Sequence, residues 1–159
     1  MTSPSFWVEE ATEVTASLVS GFARLLPQLS RSAAPLGEDD LEAIVQSTAV
    51  VLLVARCDAD MPTAETGTHD EVIGSLTLVL FPIPTGIRAW VEDVVVDEAW
   101  RGRGVGAELT RVALERATSA GARTVDLTSR PSRKAANRLY LRLGFEQRDT
   151  NVYRCELPT

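Results

Sequence analysis

The run Arg101-Gly102-Arg103-Gly104-Val105-Gly106 constrains this chain more than any other feature. An apolar stretch, Val91 to Val96, leads into it, and a strongly periodic helix pattern follows. The start of a helix leaves backbone N–H groups unpaired and carries the positive end of the helix dipole. A glycine-rich turn at that point forms an anion site suited to phosphate, because a pyrophosphate can approach the backbone without meeting a β-carbon. Arg101 and Arg103 add positive charge in a chain whose formal net charge is -6. The basic signal is thus local, which points to a bound anion and argues against a DNA- or RNA-binding surface.

The elements around the turn predict an α/β fold with a mixed, mostly antiparallel sheet flanked by helices. Phe6 to Glu9 reads as a short strand. Val14, Leu18, Phe22, Leu25 and Leu26 recur at helical spacing, and Pro27 is expected to end that helix. Leu41, Ile44 and Val45 suggest a second helix, with Asp39 and Asp40 favourable near its start. Val50–Cys57, Val72–Phe81 and Ile87–Val96 read as strands of an antiparallel meander. Beyond the glycine turn, Val105, Leu109, Val112, Ala113 and Ala117 mark a helix face, and Gly121 is its natural C-terminal stop. The next strand, Thr124–Leu127, is reached by a strand–helix–strand crossover, so it should lie parallel to Ile87–Val96. Ser132 can cap a helix carrying Ala136, Leu139, Tyr140 and Leu143, ended by Gly144. Phe145–Gln147 and Val152–Leu157 are expected to close the sheet as a hairpin.

The chain has 159 residues, which suits one domain spanning 1–159 with a real hydrophobic core. Cys57 and Cys155 are too few for a disulfide framework and show no metal-ligand spacing, so both read as buried free thiols in strands. The N-terminal residues lack a basic region followed by an apolar core, and no apolar run approaches the ~20 residues of a membrane span. A cytoplasmic protein with no membrane or nucleic-acid partner and no metal is expected.

Three readings of the glycine turn compete. A dinucleotide fingerprint needs Gly-x-Gly-x-x-Gly after a first strand, whereas here the spacing is Gly102-x-Gly104-x-Gly106 after a meander. A triphosphate loop needs Gly-Lys followed by Ser or Thr, and the chain contains no such run. The glycines alone would also permit a tight strand-to-helix turn, but two consecutive Arg-Gly pairs exceed what such a turn requires.

Val94-Val95-Val96 with Arg101-x-x-Gly104-x-Gly106 resembles the acetyl-CoA signature of the GNAT superfamily of N-acetyltransferases. A second block, Asn137-Arg138-Leu139-Tyr140-Leu141-Arg142-Leu143-Gly144-Phe145, looks like that family's Asn-x-x-Tyr-x-x-x-Gly-Phe element. The resemblance covers Val50 to Leu157 in element order, with the cofactor and catalytic motifs in 91–145. Many members carry proline near the end of the central strand, where this chain has Asp97-Glu98. The resemblance implies that Val94, Val95 and Val96 offer backbone groups to the pantetheine arm. It implies that Arg101, Gly102, Arg103, Gly104, Val105 and Gly106 cradle the pyrophosphate. Asn137 would bond the cofactor near its pantetheine, and Tyr140 would point its hydroxyl at the thioester sulfur. Val91-Glu92-Asp93-Val94-Val95-Val96 also looks like the Glu-Asp strand of glucosamine-6-phosphate N-acetyltransferases, a hint toward a small polar amine.

Acyl transfer from a thioester to an amine requires the amine to lose a proton and the departing thiolate to be stabilised. His69 is the only histidine and falls in a polar stretch, so a Ser-His or Cys-His nucleophile is not expected. Tyr140 is the candidate acid, because a phenol is protonated at neutral pH; its plainer reading is an aromatic on the apolar face of a helix. For the base, Glu92 and Asp93 should point to opposite faces of their strand, Glu92 with Val94 and Val96, Asp93 with Val95. Glu92 is preferred, and a pair of acids at a wet strand end is the alternative. Arg130, Arg133, Lys134 and Arg138 can serve phosphates or simply face solvent.

The expected reaction is acetyl transfer from acetyl-CoA to a small-molecule amine by direct attack in a ternary complex. Segment 27–41, with Gln28, Arg31 and Asp39, is expected to shape the acceptor site beside Glu92 and Asp93. A protein lysine or N-terminal amine is an alternative acceptor. An acetyl-CoA sensor without turnover is the alternative of another class. A homodimer through an edge strand at Val152–Leu157 is plausible on the resemblance.

Overall fold

The meander predicted from the spacing of its strand-like runs is the frame of the molecule. The computed structural model describes residues 6–58 and 70–158. β1 (Phe6–Glu10), β2 (Val50–Asp58), β3 (Asp70–Ile83) and β4 (Gly86–Val96) pair in sequence order, each antiparallel to the next. β5 (Val125–Asp126) completes a five-stranded mixed sheet and runs parallel to β4, as the crossover requires. His69 lies outside the described residues. The chain divides into two compact units at Thr128/Ser129, and the sheet belongs to the first.

Each face of the sheet buries its own cluster. On one face α3 (Val105–Ser119) lays Val105, Leu109, Ala113 and Ala117 onto Leu53, Ile73, Leu76, Leu78, Ala89 and Val91. On the other, α1 (Ala16–Leu29) sets Leu18 and Leu25 against Leu52, Val54, Val72 and Val95. Ile44 and Val45 of α2 (Glu38–Val45) join that second cluster. Thr15 caps α1 by accepting from the Leu18 N–H at 3.2 Å. Helix α1 meets the sheet closely because Gly21 has no side chain; a β-carbon there would stand 2.6 Å from the Val72 Cβ.

Pro27 does not end α1, contrary to expectation, and the helix runs on to Leu29. Proline inside a helix removes one N–H, and this one falls in the last turn, where the Ser30 N–H still closes on the Leu26 carbonyl at 2.9 Å. Buried Arg56 ties three strands and α1 together through Glu9 (2.6 Å), Asp70 (2.7 Å) and the Ser17 hydroxyl (2.8 Å). Cys57 is a buried free thiol in β2; burial, reinforced by the Glu71 and Asp58 carboxylates, pushes its pKa up to about 11.

The second unit is built on α4 (Lys134–Arg142). Arg133, not Ser132, takes the position before it, with no side-chain cap. Gly144 ends the helix in left-handed backbone (φ +92°), and the Phe145 N–H returns to the Tyr140 carbonyl at 3.0 Å. The expected closing hairpin is not formed: residues 145–158 contain no strand. Cys155 is consequently exposed and outside any strand, and no edge strand stands at Val152–Leu157. Val152, Tyr153 and Leu157 are all exposed. Alternation of side chains makes a strand only where one face has something to cover.

Candidate functional site

The site grows from the way β4 ends. Along Ala89 and Trp90 the strand has β3 on one side and β5 on the other. Among the described residues, 91–96 have β3 on one side and no strand on the other. The backbone of Val94, Val95 and Val96 therefore has an open edge, the template an extended ligand needs in order to pair as a strand.

Within that stretch the register with β3 slips. Thr77 faces Glu92 and Ser75 faces Val95, so Asp93 and Val94 together oppose Leu76. Asp93 takes the extra position with φ +49°, the one positive φ outside glycine among the described residues. Such a bulge reverses the side-chain parity beyond it. Val94 and Val96 pack with the cluster under α3, and so does Val91 before the bulge; Val95 packs with the cluster under α1. Glu92 follows Val91 and so shares the α1 face with Val95, not a face with Val94 and Val96 as strict alternation predicts. Glu92 and Asp93 are both exposed. The Trp90 indole N–H donates to Glu92 Oε1 at 2.7 Å, two residues back on the same face.

Beyond Val96 the chain makes a short 3₁₀ turn, Glu98–Trp100, capped by Asp97, whose Oδ1 accepts from the Ala99 N–H at 3.0 Å. Asp97 is 7% exposed. Burial opposes its ionisation, but the Ala99 N–H and the Arg24 guanidinium outweigh that and hold the carboxyl below its usual range. Arg101–Gly104 then lies exposed ahead of α3. Gly102 and Gly104 take left-handed backbone (φ +77° and +88°), and a β-carbon at either would meet nothing within 4 Å. The requirement for glycine is thus conformational, and the space over the turn is open, as a cradle for a bulky anion must be. Val105 is buried beneath α3 and Gly106 is half-buried. The first N–H groups of α3 have no helical partner, so backbone and dipole fit a pyrophosphate here.

The two arginines of the turn do not simply project into solvent. Arg103 lies over the ring of buried Trp100, 5.1 Å from its centroid. Arg101 folds back, its Nε donating to the Val96 carbonyl at 3.1 Å and its Nη2 to Gln28 Oε1 at 3.4 Å. Gln28, expected to help shape an acceptor site, instead turns its amide to the 97–101 segment. Arg31 is exposed in the turn after α1, and Asp39 sits in the first turn of α2.

In the second unit, Tyr140 is buried on α4, with Phe145 edge-on at 5.6 Å. Burial pushes its phenol pKa above the usual value, against a smaller opposing effect of Arg133. Asn137, one turn earlier, donates to the Arg130 carbonyl at 3.0 Å, which keeps its amide oxygen and second N–H free of that bond. Arg130, Arg133, Lys134 and Arg138 are exposed. Among the described residues no group of His, Cys, Asp or Glu is arranged to hold a metal ion, and no helix is long and apolar enough to cross a membrane.

The profile of the acetyltransferase (GNAT) family matches residues 20–145, and the chain belongs to that family. An uncharacterized N-acetyltransferase of Methanocaldococcus jannaschii is 39% identical over 61 residues, a stretch that is 38% of this chain and 27% of that relative's length. The crystal structure of glucosamine-6-phosphate N-acetyltransferase from Arabidopsis thaliana superposes with a TM-score of 0.71 at 19% identity, covering 95% of this chain and 98% of that one. An aminoglycoside N-acetyltransferase in complex with CoA superposes with a TM-score of 0.72 at 16% identity, covering 98% and 97%. These likenesses show that the α/β fold, with its parallel β4–β5 pair, is the GNAT fold.

Sequence reasoning located the turn and the strand before it. It missed the bulge at Asp93–Val94, the Trp90–Glu92 bond, and the role of Arg24 and Asp97 behind the turn. Only the last had a signal: an acid directly before a helical turn is a capping residue by type.

Proposed function

We propose that this protein transfers an acetyl group from acetyl-CoA to the primary amine of a small molecule by direct attack in a ternary complex. The observation that carries the reading is the unpaired edge of β4, which leads through one short 3₁₀ turn into a glycine turn with open space above it. Acetyl-CoA supplies the acyl group as a thioester. The backbone of Val94–Val96 holds the pantetheine arm, and the N–H groups of 102–106 hold the pyrophosphate. Glu92, steadied by Trp90, takes the proton that the amine gives up as its nitrogen bonds the carbonyl carbon. Tyr140 gives its proton to sulfur as the carbon–sulfur bond breaks. A phenol is protonated at neutral pH, and burial shifts its pKa further in that direction. Asn137 bonds the cofactor through the amide groups that Arg130 leaves free. The named acceptors of the two structural neighbours, an amino-sugar phosphate and an aminoglycoside, favour a small polar amine here.

The test is thiol release from acetyl-CoA over a panel of amino sugars, aminoglycosides, polyamines, amino acids and a lysine peptide. Release with a small amine and none with the peptide supports the reading. Release with the peptide alone reassigns the acceptor. CoA binding without release over the whole panel moves the protein to the class of cofactor sensors.

A further inference from the structure

The turn at 101–106 is anchored to α1 by one uncharged side chain. Gln28 Oε1 accepts from the Glu98 N–H at 2.9 Å and from Arg101 Nη2 at 3.4 Å. Its Nε2 donates to the Arg24 carbonyl at 3.3 Å and to Asp97 Oδ2 at 3.5 Å. A primary amide has two donor hydrogens and two acceptor lone pairs, and all four are used. Behind it, Arg24 reaches Asp97 at 3.0 Å, Glu71 at 2.7 Å and the Val72 carbonyl at 2.6 Å. This fixes α1 to the ends of β3 and β4 before the glycines begin.

We infer that Gln28, backed by Arg24 and Asp97, is a positioning residue for cofactor binding that acts through Arg101. The inference rests on the reading of 101–106 as the pyrophosphate cradle. A turn with two left-handed glycines has much backbone freedom to lose, so whatever fixes its first residue lowers the cost of binding. Gln28 and the Val96 carbonyl hold two of the five guanidinium N–H groups of Arg101 and so aim the rest. Because Gln28 is neutral, it aims this charge without cancelling it. A carboxylate in its place would hold Arg101 as well but neutralise it.

The experiment is a double-mutant cycle read by CoA calorimetry, with Gln28→Leu, Arg101→Ala and both together, and apo thermal melting beside it. The expected result is that Gln28→Leu weakens CoA binding about tenfold while the apo Tm moves by no more than ~2 °C, and that it adds less than about twofold once Arg101 is alanine. Additive effects in the cycle, or weaker binding that tracks a falling Tm, mean an ordinary structural role and overturn the inference. Gln28→Ala repeats the cycle if the leucine variant does not fold. Gly104→Glu separates the two levels. If it binds CoA as the native protein does, the cradle reading fails; if it loses CoA while Gln28→Leu binds normally, only the positioning role fails.

Discussion

Trp90 and Glu92 stand on one face of β4, and the indole N–H donates to the carboxylate at 2.7 Å. The bond fixes a carboxylate that is otherwise exposed at a strand edge. A general base must be held where the proton will be, so the indole is a support for the proposed chemistry. Glu92→Gln should lower kcat about 10²-fold near neutral pH, within the range for general-base catalysis, and Asp93→Asn should lower it much less. Trp90→Phe should lower kcat about tenfold, as the loss of one hydrogen bond to a charged group worth about 1.5 kcal/mol would. Steady-state kinetics with an identified amine checks both. A larger effect at Asp93 would transfer the role to the residue at the bulge.

Tyr140 gives a pH signature. Burial raises its pKa, so the phenol keeps its proton beyond the ordinary value of about 10. The alkaline limb of kcat that reports this acid should therefore lie above pH 10, and Tyr140→Phe should remove it while CoA affinity changes little. A limb near pH 8 that survives in Tyr140→Phe would show that another group supplies the proton.

Gly21 predicts a stability effect far from the chemistry. Its missing β-carbon lets α1 approach Val72. Gly21→Ala should cost about 1–3 kcal/mol, the usual range for an overpacked contact, despite alanine's higher helix propensity. Urea unfolding measures it, and a more stable alanine variant would mean that α1 shifts freely on the sheet.

Asp97 predicts how stability depends on acid. Its folded pKa lies below its unfolded value of about 3.9, so its contribution is fully present above that pH and is lost as pH falls through the folded value. Asp97→Asn keeps an acceptor for the Ala99 N–H but gives up the charge facing Arg24. The native protein should exceed the variant in unfolding free energy at pH 6, and the gap should close below about pH 4. A gap that stays constant between those values would contradict the ion-pair assignment.

The parts of the fold that repeat locally were legible in the sequence. Three apolar runs, Val50–Cys57, Val72–Phe81 and Ile87–Val96, separated by turn-rich segments, marked the meander. The face Val105, Leu109, Ala113 and Ala117 gave α3, and Gly121 gave its end at φ +79°. The glycine turn was legible because the left-handed backbone at 102 and 104 favours that one residue type. The bulge at Asp93–Val94 was not, since neither residue is a glycine or proline that would mark a break in pairing. The Gln28–Asp97 link was not either, because residues 69 positions apart in sequence meet only once α1 lies on the sheet. The hairpin expected at 145–157 shows the opposite error. Val152, Tyr153 and Leu157 have a strand's composition, but they cover nothing and remain exposed.

The central claim is that the edge of β4 and the turn after it hold a CoA-type cofactor. Calorimetric titration of the full chain with CoA, and separately with NAD, tests it most directly. The account predicts one-to-one binding of CoA, no binding of NAD, and loss of the CoA signal in Gly104→Glu, whose carboxylate would meet the pyrophosphate. A folded sample that does not bind CoA, or that binds it equally well with glutamate at position 104, would contradict it.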